Sequence, residues 1–380
     1  MDTNHKRGTT AEKDSSTPYL LLDIGQVQEN VESLTKAFAL LKPTIFYPVK
    51  TNAEQPVLEL LRNLGHGFDV ASQNEVRRIL SLGVTTERMI FSAPVKVPSH
   101  IEEAHRRGLD LFVLDNEAEV MKLARLAPGA RVIVRLEVSQ SGSQLPLDGK
   151  FGVPADEAVR LMKLSREYGL RPHGLAFHVG SQCTRMETWT EAIDVCRWAW
   201  NGAAEAGIDL SLVNRGGGIP GRYMHDVPTV EEIGARVTQK VFGRFGPRVE
   251  YAIEPGRALV ADAGTMVTSV IGKAVRRGKP WIYVDLSIYA GLLEVRDGWK
   301  YPLETDKDHL PKRTTILAGP TCDSTDVLAV DADLPDLEVG DLIYIKTAGA
   351  YTTAWRQFNG FLFPKVIAVS AKGQARVVAA

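Results

Sequence analysis

Cysteine is scarce: the 380-residue chain holds three, Cys183, Cys196 and Cys322. Their spacing matches neither a disulfide framework nor a zinc-ligand pattern. So sparse and odd a set fits a reducing compartment, and a cytoplasmic location is expected. Long apolar runs are missing as well. No stretch approaches the ~18 residues that span a bilayer, so no membrane association is expected. Charge of one sign is not in excess either: 45 Lys and Arg stand against 46 Asp and Glu, interspersed along the chain, for a formal net charge of −1. That balance offers no broad field for nucleic acid and leaves a small-molecule substrate as the better expectation. There is no internal repeat and no low-complexity tract. Residues 1–17 are polar and mixed in charge, lack the apolar stretch of a secretion signal, and read as a disordered leader.

What the chain does have is alternation. With 44% hydrophobic and 24% charged residues it can bury one large core or two. Short apolar runs occur at Thr44–Lys50, Gly67–Ser72, Met89–Pro94, Leu111–Asp115, Val132–Val138, Gly174–Val179, Leu210–Gly216 and Glu250–Glu254. Between them, helical periodicity covers Glu54–Leu64, Asn74–Leu82, Ser99–Arg107, Asn116–Leu126, Ala155–Tyr168 and Met186–Ala206. Eight strands alternating with helices predict an α/β chain closed into a (β/α)8 barrel. An open doubly wound sheet would more often show fewer strands and a glycine-rich first turn. Past Arg257 the texture turns β-rich, with short runs at Val267–Ile271, Trp281–Val284, Thr315–Leu317, Leu342–Lys346 and Lys365–Val369. The expected organisation is a leader over 1–17, a strand over 18–24 that joins the β domain, a barrel over 25–260, and a mainly antiparallel β domain over 261–380.

Polar and glycine residues collect where the barrel strands end. Lys50 closes the first run and Asp69 lies in the second; Arg135 lies in the fifth, His178 to Ser181 close the sixth, Gly216, Gly217 and Gly218 the seventh, and Glu254 to Arg257 the eighth. In a barrel these ends share the face on which active sites form. Singly, each is weak. A lysine after a strand is usually a solvated end residue, three glycines are often a tight turn, and His178 is as easily a satisfied core histidine. Glu254 suits a helix cap, a metal ligand or an acid partner, with metal last because no His/carboxylate cluster accompanies it. Together they describe one cofactor. Pyridoxal phosphate needs a lysine for its aldehyde, donors for its phosphate and a group facing its pyridine nitrogen. Bare glycine N–H groups approach phosphate oxygens closely, Arg257 adds a charge-assisted contact, and a carboxylate at Glu254 keeps the pyridine nitrogen protonated. His178 is suited to lie against the ring.

The motifs resemble a known family. Phe46 to Lys50, Phe68 to Ser72 with Glu75, Phe177 to Ser181, Gly216–Gly218, Glu254–Arg257, Gly319 to Asp323, Gly349 to Tyr351 and Phe358 to Phe361 are similar, in order, to the fold-type III pyridoxal-phosphate decarboxylases of basic amino acids. The nearest look is to the bacterial ornithine decarboxylases that also accept lysine. The resemblance implies an alanine-racemase-like barrel and decarboxylation of ornithine or lysine to the diamine, a polyamine precursor. It implies that Lys50 bonds the cofactor, Glu254 pairs with the pyridine nitrogen, and His178 stacks on the ring. Ser181, Gly218, Gly256, Arg257 and Tyr351 would hold the phosphate; Asp69, Glu75 and Arg135 would support the lysine and the cofactor. Cys322 would steer protonation after carbon dioxide leaves, while Asp323, Asp297 and Phe358 would meet the substrate. Cys322 and Asp323 would serve the other subunit of a head-to-tail homodimer.

Several positions depart from that pattern. Ala93 stands where Asn is common, Arg215 replaces an aliphatic residue, and Trp355 and Arg356 occupy a segment one residue short before Phe358. An added ring and cation there favour, as an alternative, a specialised carrier- or citrate-linked amino acid. Diaminopimelate is weaker, because its enzymes usually carry Glu at Asp323. Racemase chemistry is weaker still, with Arg rather than Glu expected at the pyridine nitrogen, and a silent regulatory homologue would tend to lose Lys50, Cys322 or the acids.

Overall fold

Consecutive Val, Ile, Leu and Phe residues suit a strand buried on both faces, and the eight apolar runs are built that way. The computed structural model describes residues 16–147, 149–355, 357–370 and 375–378; Arg356 and most of the leader lie outside them. The chain enters through β1 (Tyr19–Asp23) and α1 (Ile24–Ala37). Then β2 (Thr44–Pro48), β3 (Gly67–Val70), β4 (Met89–Phe91), β5 (Leu111–Leu114) and β6 (Arg131–Arg135) alternate with α2 (Gln55–Asn63), α3 (Gln73–Ser81), α4 (Pro98–Arg106) and α5 (Glu117–Leu126). A short strand β7 (Ser143–Leu145) precedes α6 (Ala155–Glu167) and β8 (Arg171–Ala176). After β9 (Ser181–Cys183) come α7 (Met186–Glu205), β10 (Leu212–Asn214), α8 (Val230–Phe245), β11 (Glu250–Ile253) and α9 (Arg257–Val260).

The eight parallel strands β2, β3, β4, β5, β6, β8, β10 and β11 close into a barrel, with Ala252 and Ile253 of β11 opposite Thr44 and Ile45 of β2. Phe46, Ile90, Val113, Ile133, Leu212 and Ala252 fill its interior, so the barrel is a packed core and not a pore. Local chemistry starts the helices. Asp23, Ser72 and Asn116 accept from backbone N–H groups of the first turns of α1, α3 and α5, and Thr229 with Glu232 forms a reciprocal capping box on α8.

The remainder is β-rich. A nine-stranded sheet uses β1, β12 (Gly264–Arg276), β13 (Lys279–Val284), β14 (Leu303–Thr305), β15 (Lys312–Ala318), β16 (Val327–Pro335), β17 (Leu342–Ile345), and, after the small hairpin β18–β19 (Gln357–Phe358, Phe361–Leu362), β20 (Lys365–Val369) and β21 (Ala375–Val377). Its pairings are antiparallel except β1 with β20 and β13 with β15. Elements outside the periodicity reading include helix α8, although Ile233, Val237 and Val241 recur at helical spacing on its buried face, β16, whose Asp331 and Asp333 break an apolar strand signal, and β7, which pairs with β9 as a ribbon at the barrel mouth. No helix among the described residues is long and apolar enough to cross a membrane.

One loop of the β domain packs closely against the barrel. Ala348 and Gly349 donate to the carbonyls of Gly264 and Ala261, Asn52 donates to the Gly349 carbonyl at 2.8 Å, and Tyr351 N–H donates to the Thr51 carbonyl at 2.7 Å. A side chain at Gly349 would collide with backbone on both sides, so only glycine allows the contact. It sets Tyr351, held at φ +60, beside the turn that carries Lys50.

Candidate active site

The C-terminal ends of the barrel strands ring a cavity of about 590 Å³. Lys50, Arg135, His178, Ser181, Gly216, Gly217, Gly218, Glu254, Gly256, Arg257, Asp297 and Tyr351 all line it. Ten of these twelve residues meet because parallel barrel strands present their ends on one face, and the β domain adds Asp297 and Tyr351.

At one side Lys50 sits in a 3-10 turn (Val49–Thr51) after β2, its amine open to the cavity and 3.9 Å from a buried Asp69 carboxylate oxygen. Burial works against the ammonium, but Asp69, Tyr351, Glu254 and Glu75 outweigh it and raise the Lys50 pKa. Asp69 does not line the cavity; it lies beneath the lysine, pushed up by burial and drawn back by Lys50 and by a short hydrogen bond from Ser92. Glu75 accepts from the Ala71 N–H at 2.7 Å, its pKa also raised by burial. Opposite, Glu254 is pushed up to about 7, first by burial and then by Asp69, while Asn214 donates to it at 2.7 Å. Asn214 also accepts from Gly216 N–H, so one amide ties the acid to the glycine turn. His178 accepts from Gly180 N–H at Nδ1, and burial together with Arg135, Lys50 and Arg215 holds it far below its usual pKa. It is therefore a neutral ring with its other nitrogen protonated.

The other side is a donor-rich pocket. Gly216 and Gly218 adopt φ +64 and +97, and a Cβ on Gly217 would come within 2.9 Å of both the Glu254 carbonyl and the His178 ring. Backbone can approach there and side chains cannot. The Gly217 and Gly218 N–H groups find no acceptor among the described residues. Arg257 is buried, bonded to Glu294 at 2.7 and 3.1 Å, to Ser181 at 3.2 Å and to Tyr223 at 2.8 Å. Its guanidinium lies 4.0 Å from the Trp299 ring centre and 4.8 Å from that of Tyr351. Burial opposes its charge, but Tyr223 and Glu294 keep Arg257 firmly protonated.

Residues 24–261 match the family model described as the pyridoxal binding domain of pyridoxal-dependent decarboxylases. The chain belongs to that family. The decarboxylase is 34% identical to the lysine/ornithine decarboxylase of Selenomonas ruminantium, across 96% of this chain and 93% of that protein. It is also 34% identical to antizyme inhibitor 2 of Xenopus laevis, across 90% of this chain and 79% of that protein. Among solved structures, the lysine/ornithine decarboxylase of Vibrio vulnificus complexed with cadaverine superposes with a TM-score of 0.88 at 33% identity, covering 94% of this chain and 96% of that one.

The residues of this decarboxylase fit pyridoxal phosphate. The cavity holds an open amine, backbone donors without acceptors, the half-buried Glu254 carboxyl and an Arg257 Nε that lacks a partner. Cys322, Asp323 and Phe358 are not part of that cavity. They lie together in the β domain, where Asp323 accepts from Tyr289 and from the Thr325 N–H at 2.8 Å each, Phe358 packs 4.2 Å from Tyr289, and Asn359 approaches the exposed Cys322 sulfur at 3.5 Å. Sequence reasoning did not single out Ser92, Asn214, Tyr223, Glu294 or Trp299. Asn214 carried a readable signal, a polar residue two positions before a glycine triplet. Of the two nearby acids it is Glu294 that engages a cation, on Arg257, and Asp297 is left facing the cavity.

Proposed function

We propose that this decarboxylase converts a basic L-amino acid, ornithine first and lysine second, to its diamine and carbon dioxide, working as a homodimer. The observation that carries the substrate class is Asp297. It is the one acid on the cavity wall without a hydrogen-bond or ion-pair partner among the described residues, since Glu254 is held by Asn214 and Glu294 by Arg257. An unpaired carboxylate on a largely apolar wall selects a cation, because an anion there would add repulsion to desolvation.

When bound, pyridoxal phosphate supplies the electron sink for bond breaking at the α-carbon. Lys50 would hold it, with Asp69 and Glu75 keeping the amine charged until it is used. Glu254 would face the pyridine nitrogen, its proton poised near neutrality and its carboxyl oriented by Asn214. The neutral His178 would lie against the ring without adding charge, and Arg135 would support the acid side of the cavity. Ser181, Gly216, Gly217, Gly218, Gly256, Arg257 and Tyr351 would bind the phosphate. Asp297 and Phe358, with Asp323, would bind the substrate's far end, and Cys322 would deliver the proton to the α-carbon. Because Cys322, Asp323 and Phe358 stand outside the chain's own cavity, this reading needs them to complete the site of a second copy.

A panel of ornithine, lysine, arginine, diaminopimelate and acidic amino acids, followed by carbon dioxide release, tests the substrate. Turnover of neither ornithine nor lysine would sink the assignment. Trp355, on the cavity wall, supports the second reading, a bulkier linked amino acid; with a citrate-linked amino acid added to the panel, its preferential turnover would replace the first. With ornithine, Asp297→Asn is expected to raise KM by ~10-fold or more with a smaller change in kcat, the scale of losing a charge-assisted contact. Mixing Lys50→Ala with Cys322→Ala chains is expected to restore activity that neither has alone in full. No recovery after subunit exchange would count against shared sites. Cys322→Ala alone should still release carbon dioxide but yield aldehyde beside the amine.

A further inference from the structure

Arg215 is fully buried, and its Nε and both Nη nitrogens have no hydrogen-bond partner among the described residues. An unpaired buried cation is among the most unfavourable groups a fold can hold. The guanidinium sits 4.5 Å from the Trp189 ring centre and 5.2 Å from that of Phe38, which replaces part of its hydration. The titratable groups acting on it are Tyr251 and Cys183, with no carboxylate among them. Trp189 in turn reaches the glycine turn: its outer ring carbon lies 3.1 Å from where a Gly218 Cβ would be. One indole therefore separates an uncompensated charge from the donor pocket.

The charge balance inside that pocket explains the need. Arg257 is already paired with Glu294 at 2.7 Å, so the cation placed to meet a phosphate is neutralised before one arrives. Lys50 and Arg135 are set against Asp69 and Glu254 in the same way. A dianion entering beside Gly217 and Gly218 would meet N–H dipoles and cations that each face a carboxyl group, with Arg215 the cation that faces none.

We propose that Arg215 is a positioning residue for the cofactor phosphate: from behind Trp189 it supplies the positive potential that the Arg257–Glu294 pair does not, tightening phosphate binding without touching it. This rests on the reading that the glycine triplet holds the phosphate. Through-space attraction in a low-dielectric wall acts over such separations, and the stability lost by burying Arg215 is recovered only when the anion is bound.

The test measures affinity for pyridoxal 5′-phosphate and for pyridoxal, by equilibrium dialysis on the cofactor-free protein, together with thermal midpoints. Arg215→Met is expected to lower the preference for the phosphorylated form about tenfold, ~1.4 kcal/mol, while raising the midpoint of the cofactor-free protein. Arg215→Lys should keep most of the preference. Glu294→Gln should strengthen it, and Glu294→Gln added to Arg215→Met should restore it. An unchanged preference in Arg215→Met, or an equal loss for both ligands, overturns the proposal. If the Arg215 variants do not fold, Glu294→Gln alone decides: no gain in preference overturns the charge accounting. If the parent binds the two ligands equally, the phosphate reading of the triplet fails instead.

Discussion

Lys50→Ala is expected to abolish decarboxylation, by more than ~10³-fold, the scale on which deleting a covalent catalytic group acts. The purified variant should also lack the visible absorbance of a lysine-linked cofactor, which borohydride fixes irreversibly in the parent. Both effects come from one atom. Lys50 Nζ is the only lysine nitrogen on the cavity wall among the described residues, and the groups around it serve it specifically. Asp69 lies 3.9 Å below it, and Ser92 and the Ala71 N–H hold Asp69 and Glu75 in place. Removing the amine leaves Asp69 buried without its cation, so its pKa, already raised, climbs further. The variant should therefore be less stable than the parent at neutral pH and approach it on acidification, as Asp69 takes up a proton. A visible band or measurable turnover in Lys50→Ala would move the catalytic lysine elsewhere. Lys96 is no substitute, since its amine is buried against the Val113, Ala93 and Pro94 carbonyls and paired with Glu119.

Glu254→Gln produces the second large effect, and it has two signs. In the loaded enzyme, kcat is expected to fall by ~10²–10³, because a neutral amide no longer favours a positively charged pyridine nitrogen. In the cofactor-free protein the same change should stabilise. Burial and Asp69 push Glu254 up to about 7, well above its value in an unfolded chain. A carboxyl whose folded pKa is raised contributes fully below its unfolded pKa, and that contribution is lost as pH rises through the folded value. The cofactor-free parent should thus lose stability between about pH 4.3 and 7, and Glu254→Gln, which cannot ionise, should flatten that slope. Denaturant midpoints across this range, with and without the cofactor, check both halves. A variant that keeps kcat, or one whose stability tracks pH as steeply as the parent's, would separate Glu254 from the assigned role.

The pH argument also shows why a list of residues is not yet a site. Glu254 is readable as an acid at a strand end, but whether it is ionised depends on Asn214 at 2.7 Å, on Asp69 and on how far the cavity desolvates it. Arg257 is readable as a phosphate partner, and its pairing with Glu294 is not. Arg215 looks from its neighbours like a misplaced strand residue; only its burial between Phe38 and Trp189 makes it an electrostatic problem in need of an explanation.

By itself the sequence determined the eight-strand barrel and the face on which its polar ends would gather, because a parallel strand buried on both sides must be apolar and its end need not be. It also determined the cofactor, since lysine, glycine triplet and glutamate recur at ends that closure brings together. Tertiary structure alone decided the direction of each pKa shift, the Glu294 pairing that leaves Asp297 unpaired, and the separation of Phe358 from the cavity of its own chain. Strand periodicity is a local property written in successive residues. Desolvation and Coulomb interaction depend on distances between residues hundreds of positions apart, and no local pattern records them.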